Sequence, residues 1–317
     1  MGVASLLRAN NSTNVRFVLD VPYSAHPIDV PTPAPAPARP SRGEAPLWLR
    51  VALPTASVLA PPIAVRWAEH LFVSPPRMKP LSAPILQTGH RFHLSAAGQS
   101  IAVWSWGDGP TALLMHGWAG RAEQLAAFVP SLLAAGFSVV APDAPGHGAS
   151  SGRQSSIPAF ADALQAVAAR VGPIEAFVGH SAGAAAGALA MHRGVKIGRA
   201  VFLAPAASLA DVLVRFAWQL RIPPWVAQAM RQRVESRLGV PMSALDVPRV
   251  ARNARTPLLV FHDPADREVP WKDGAAIAQA WPGARLVDVP GAGHNRILRD
   301  ARVVAQASAF LSARSEP

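Results

Sequence analysis

IEAFVGHSAGAAAGALAMH, residues 174–192, reads as a strand that turns at once into a helix. IEAFV is a short apolar run of the kind a buried strand makes, and AAAGALAMH is Ala-rich and helix-favouring. Between them stands GHSAG, Gly179–Gly183. A nucleophile at the tip of such a turn takes strained backbone angles, and small residues two before and two after it prevent collision with the neighbouring strand and helix. Gly179 and Gly183 meet that need. The turn also aims the first N–H groups of the helix at the reaction centre, with the helix dipole assisting. Ser181 is therefore the candidate nucleophile and the Ala182 N–H a candidate oxyanion donor. A G-x-S-x-G match is a weak signal by itself, and its strand-to-helix placement gives it weight.

Working outward, short β-branched or aromatic runs at 89–94, 100–106, 111–115, 137–142, 174–179, 199–204, 257–262 and 284–289 alternate with helical windows at 121–135, 157–171, 182–193, 271–281 and 299–313. That alternation predicts an α/β fold: an eight-stranded, mostly parallel sheet flanked by helices, the first two strands forming an antiparallel pair. Between strands six and seven, residues 206–255 hold helix-like segments such as SLADVLVRFAWQL and PPWVAQAMRQRVESRLG. An insertion of that length reads as a helical lid.

A serine hydroxyl is a poor nucleophile near neutral pH and needs a base that is itself held by an acid. After strand seven comes HDPADREVP, with Asp266 in a loop at the carboxyl edge of the sheet. Asp263, the alternative acid in the same loop, adjoins the strand end, where a carboxylate caps a turn. After strand eight comes VPGAGHNRIL, in which His294 follows a Gly-Ala-Gly turn and is the candidate general base. In LLMHGWAG, residues 113–120, a strand ends in His116-Gly117; Gly117 permits close approach and the Trp118 N–H is the second candidate oxyanion donor. The order Ser, Asp, His is the one expected for such a fold rather than for other serine-protease architectures. His116, His147 and His180, each beside a glycine, read as structural hydrogen-bonders, and Asp143 in APDAPGHGAS as a loop-orienting carboxylate. Neither His262 with Asp263 nor His116 with His147 has a metal-ligand spacing, so no metal and no cofactor is expected.

These residues resemble the α/β-hydrolase superfamily, in particular its esterase-like and serine-aminopeptidase-like members with an HGW oxyanion segment, a D-x-P-G-H-G-x-S loop and a GHSxG elbow. The resemblance spans about residues 88–313 and implies Ser181 as nucleophile, Asp266 as acid, His294 as base, and Trp118 with Ala182 as backbone oxyanion donors. Relatives that dehalogenate or open epoxides carry Asp at the elbow, where this chain has Ser181. Aminopeptidase-like members need acidic groups near the lid, whereas residues 205–250 hold six Arg but only Asp211, Glu235 and Asp246. The expected activity is hydrolysis of carboxylic esters of short to medium acyl chain, lysophospholipid included. The alternatives are a thioesterase or amidase with the same triad, and a non-catalytic binding or receptor protein on the same fold.

The 317 residues, half of them apolar, suit one large domain with attachments. The chain has no cysteine, which excludes thiol catalysis and thiolate metal sites. A net charge of +11 raises nucleic acid as a partner, but the basic residues are scattered and no nucleic-acid recognition pattern accompanies them, so none is expected. Residues 1–45 include PTPAPAPARP and read as a disordered Pro/Ala-rich leader with no secretory signal. Residues 46–80 read as an apolar helical segment. Its stretch 47–73 is broken by Arg50, Pro54, Pro61, Pro62 and Arg66, and either docks on the domain or lies at a membrane interface. The hydrolase domain is then 81–317, with the lid inside it. A cytoplasmic protein is expected, peripheral at the inner face of the membrane if the segment meets lipid.

Overall fold

The computed structural model describes residues 46–76 and 84–313; residues 1–45, read above as a leader, 77–83 and 314–317 lie outside them. Two helices come first, α1 (Leu47–Leu59) and α2 (Pro61–Val73), then a single turn, α3 (Ile85–Thr88). The sheet begins with β1 (His90–Ala96), β2 (Gln99–Trp106) and β3 (Thr111–Met115). After α4 (Phe128–Ala134), β4 (Ser138–Pro142) and α5 (Ile157–Val171) come β5 (Ile174–His180), α6 (Ala182–His192) and β6 (Ile197–Leu203). The insertion holds α7 (Leu209–Gln219), α8 (Pro224–Leu238) and the short α9 (Val247–Val250). The chain closes with β7 (Leu258–His262), α10 (Trp271–Ala280), β8 (Arg285–Asp288), the turn α11 (Gly293–Arg296) and α12 (Ala301–Ser312).

The eight strands form one sheet in the order β1-β2-β4-β3-β5-β6-β7-β8. β2 runs antiparallel to both β1 and β4, and the remaining pairs are parallel. Alternation along the central strands feeds two cores. Leu113, Met115, Phe177, Phe202 and Val260 pack beneath α5, α6 and α10, while Ala112, Leu114, Val178, Val201 and Phe261 pack beneath α4 and α12. The register sets Met115 beside Gly179, His180 beside Leu203, Leu203 beside Phe261, and His262 beside Asp288. The carboxyl ends of five strands therefore share one edge, where ligands bind in open parallel sheets.

The segment 47–73 packs on the inserted helices. Leu49 and Leu53 of α1 and Val65, Ala68 and Val73 of α2 share a third core with Leu213 and Ala217 of α7 and Val226, Met230 and Val234 of α8. α7 starts at Ser208, whose hydroxyl accepts from the Asp211 N–H at 3.3 Å. α8 starts on Pro224 in its first turn and ends at Gly239 with φ 70°, a left-handed stop that glycine adopts without penalty. Glu69, buried on α2, receives Arg233 at 2.5 Å and Arg237 at 2.7 Å from α8, and Arg237 also reaches Gln154 of the sheet domain at 2.7 Å. Trp218 and Trp225 of the inserted helices are 64% and 49% exposed and belong to the outer surface. Their helices bury Leu213, Ala217, Val226 and Met230 instead, and the tryptophans fall outside that inward stripe.

Candidate active site

Ser181 follows β5 with φ 50° and ψ −116°, conformational strain that the surrounding structure must hold in place. Its N–H donates to the Leu203 carbonyl at 2.9 Å, which ties the turn to β6. Although it occupies the N-cap of α6, its hydroxyl makes no capping bond and remains available for other chemistry. A Cβ at Gly179 would come within 2.7 Å of Ala184 Cα, and one at Gly183 would strike the carbonyl oxygens of His116 and Met115. Glycine at these positions lets α6 descend onto the end of β3. At Gly117 an added Cβ would lie 3.0 Å from Ser181 Cβ, so the HGW segment runs directly beside the serine. Ala182, first residue of α6, has one of the N–H groups that a helix leaves without an internal partner. The Trp118 ring stacks on Phe160 at 6.4 Å and meets the edge of His147 at 5.3 Å, which anchors that loop.

His294 lies on α11 and donates from Nδ1 to Asp266 Oδ2 at 2.8 Å, with both side chains buried. The other oxygen of Asp266 accepts the Glu268 and Val269 N–H groups at 2.8 and 3.0 Å. Burial alone would raise this carboxyl. The nearby His262 ring, the hydrogen bond and charge of His294 and the Glu268 N–H outweigh that effect and hold it well below the usual carboxylate range. Asp263 serves differently: Oδ1 accepts from the Ala265 N–H at 2.9 Å and Oδ2 from the Gly293 N–H at 2.5 Å. It caps its own turn and fastens the histidine loop to the acid loop. The carboxylate that meets His294 is that of Asp266.

His180 donates from Nε2 to the His294 carbonyl at 3.0 Å, and the two rings lie 4.7 Å apart. The residue before Ser181 thus fixes the backbone of the residue that carries the imidazole. Burial and the neighbouring His294 depress the His180 pKa well below the ordinary imidazole value, so the ring stays neutral. His116 donates from Nδ1 to the Gly117 carbonyl at 2.7 Å and accepts the Ala144 N–H on Nε2 at 2.9 Å; burial lowers it to about 4. His147 donates to the Pro145 carbonyl at 2.9 Å and accepts the Ala119 N–H at 3.2 Å; burial lowers it to about 3. Asp143 accepts the Ala122 and Ala149 N–H groups at 2.7 and 2.6 Å, and burial raises its pKa. His116, His147 and Asp143 spend their polar atoms on loop backbone, whereas His180 Nδ1 is buried without a hydrogen-bond partner among the described residues.

Ser181, His294, Asp266 and the Gly117-Trp118 segment are thereby gathered at one sheet edge. The sequence reading missed His262. Its Nε2 donates to the Val269 carbonyl at 3.0 Å and lies 3.5 Å from Asp266 Oδ2, with the ring fully buried. A histidine ending a strand four residues before a candidate acid was the available signal. Among the described residues no group of three or more His, Asp or Glu could hold a metal ion. A groove of about 490 Å³, lined by Glu69, Ala229, Gln232, Arg233, Ser236 and Arg237, contains none of the gathered groups.

An esterase from Exiguobacterium antarcticum is 14% identical, with 71% of this chain and all of that one covered at a TM-score of 0.56. An esterase from a Rhodococcus species is 21% identical, with 71% and 98% covered at a TM-score of 0.53. A bromoperoxidase from Bacillus anthracis is 17% identical, with 70% and 99% covered at a TM-score of 0.54. At such identities the likeness is one of fold. No curated protein is a significant match to the sequence. The model of the alpha/beta hydrolase family matches residues 112–307, well over half of the chain, and the chain belongs to that family.

Proposed function

We propose that the protein is a serine hydrolase that cleaves carboxylic esters through an acyl-enzyme on Ser181. The observation that carries this reading is the 2.8 Å bond from His294 Nδ1 to Asp266, in a loop fastened by His180 to the strained Ser181 elbow. With Nδ1 committed to the carboxylate, Nε2 is the nitrogen left for proton transfer. Ser181 Oγ attacks the ester carbonyl while Nε2 takes its proton. The Trp118 and Ala182 N–H groups receive the oxyanion, and collapse expels the alcohol, which recovers the proton from His294. Water repeats the cycle on the acyl-enzyme. The inserted helices act as a lid, and the ester's acyl group is uncharged and of short to medium length, with lysophospholipid in the same class.

The test is fluorophosphonate labelling of wild type and Ser181→Ala, followed by p-nitrophenyl esters of increasing chain length. Labelling that requires Ser181, turnover of the butyrate or octanoate, and a loss of roughly three to six orders of magnitude in Ser181→Ala are expected. Turnover that survives in Ser181→Ala defeats the assignment. Folded protein that neither labels nor turns over esters leaves a binding protein on a hydrolase fold.

A further inference from the structure

Ten large apolar side chains are exposed among the described residues, and all ten lie between 47 and 63 or between 214 and 240, none on the sheet domain. Along α1 the exposed set is Leu47, Trp48, Val51, Val58 and Leu59, and Ile63 continues it into α2. At 100° per residue these α1 positions fall on one side of the helix, opposite the buried Leu49, Leu53 and Ser57. Thr55, the polar residue on that side, spends its hydroxyl on the Val51 carbonyl at 2.9 Å. α7 repeats the arrangement, with Leu213 and Ala217 inward and Val214 and Trp218 outward one turn apart, and Trp225 is outward on α8. The outward set therefore includes three tryptophans, whose amphipathic rings favour the boundary between hydrocarbon and water.

Charge decides what covers this face. Segments 46–76 and 209–240 contain seven arginines (50, 66, 215, 221, 231, 233, 237) against three carboxylates: Glu69, Asp211 and Glu235. Glu69 is buried beneath Arg233 and Arg237, and Glu235 holds Arg231 at 3.0 Å. Asp211 stands in the first turn of α7, at the opposite end from Trp218. Exposed Arg66 comes three residues after Ile63 and exposed Arg221 three residues after Trp218, both with no carboxylate partner among the described residues. No described helix is long and apolar enough to cross a membrane. An apolar face carrying tryptophan and rimmed by arginine is the chemistry of a helix lying in the headgroup layer.

We propose that α1 and the outward sides of α7 and α8 dock this protein on the surface of an anionic lipid bilayer. Vesicle flotation of the full chain tests it, on phosphatidylcholine alone and on phosphatidylcholine with phosphatidylglycerol, at low and high salt. Binding to the anionic vesicles that weakens with salt is expected. Arg66→Gln and Arg221→Gln each lower it by about fivefold, the effect of one cation near such a surface. Val58→Asp with Leu59→Asp, at positions 79% and 78% exposed, lowers it at least about tenfold while melting is unchanged, because neither side chain packs in the core. No binding by the full folded chain overturns the proposal, and so does binding that survives the double aspartate variant. A dimer in light scattering that this variant disperses also overturns it, assigning the face to a second copy. Flotation needs no turnover, so its outcome stands apart from that of the esterase reading.

Discussion

At the scale of single residues, the acid of the site is held by more than the base it serves. Asp266 takes two backbone N–H groups on one oxygen, while the other receives His294 and faces His262. His262 Nε2 is bonded to the Val269 carbonyl, next to the Val269 N–H that Asp266 accepts, and lies 3.5 Å from the carboxylate, so its ring holds the acid loop and the angle of the carboxylate together. His262→Leu should therefore lower kcat by roughly ten- to a hundredfold with little change in KM, while His262→Gln, which can keep a donor near the Nε2 position, should retain most of the rate. Equal loss in both variants would trace the effect to packing against Gly274, which the His262 ring also touches. The two candidate acids illustrate how far residues can be read from sequence. Asp263 and Asp266 are both carboxylates in one loop after one strand, and spacing gives a preference between them but no partners. Only the folded-back loop brings Asp263 to the Gly293 N–H and Asp266 to His294.

At the scale of elements, the elbow depends on how closely α6 can approach β3. Gly183 faces the His116 and Met115 carbonyls, which belong to main chain and cannot swing aside. Gly183→Ala should cost about 1–3 kcal/mol of stability, as overpacking does, and should also reduce kcat because the displaced helix end moves the Ala182 N–H. Thermal melting and single-turnover acylation measure the two effects, and an active variant with unchanged melting would show that α6 has room to move. Local pattern predicts many of the element bounds: β3 covers Thr111–Met115 and α5 Ile157–Val171, as their periodicities do. The window 121–135 instead breaks into a 3-10 turn at Ala122–Leu125 and a helix that starts at Phe128. The Ala122 N–H is taken by Asp143, twenty-one residues away, a bond that no local periodicity encodes. Docking of 47–73 was one of the two readings open to the sequence, but the surface it docks on was hidden. An apolar stripe shows that a helix buries one side, but not whether against the sheet or, as here, against α7 and α8.

At the scale of the whole molecule, several imidazoles are buried as neutral hydrogen-bonders, and this sets how the fold responds to acid. Burial lowers His116 to about 4 and His147 to about 3, and His180 also lies well below 6.5. In the unfolded chain these groups bind protons once the pH falls below about 6.5, whereas in the fold they refuse them until far lower. Their contribution is therefore full above pH 6.5 and declines as the pH falls toward 4, by up to about 1.4 kcal/mol per pH unit for each histidine. Asp266 is depressed below its ordinary 3.8, so its contribution persists through that window and is lost only beneath it. Asp143 and Asp273, raised by burial, take protons earlier in the fold and soften the decline near the carboxylate range. Urea midpoints at pH 7.5, 6.5, 5.5 and 4.5 should hold between the first two and fall thereafter. Positive charge offers a rival cause, because the chain carries +11 before any histidine is protonated and self-repulsion also grows in acid. His147→Gln separates the two, since it removes one titrating group and hardly changes the net charge at neutral pH. It should flatten the decline between pH 6.5 and 4.5 by about one proton's worth, roughly 1.4 kcal/mol per pH unit, even if it begins from a lower stability. Parallel slopes in wild type and variant would mean that repulsion, and not the buried imidazole, governs unfolding in acid.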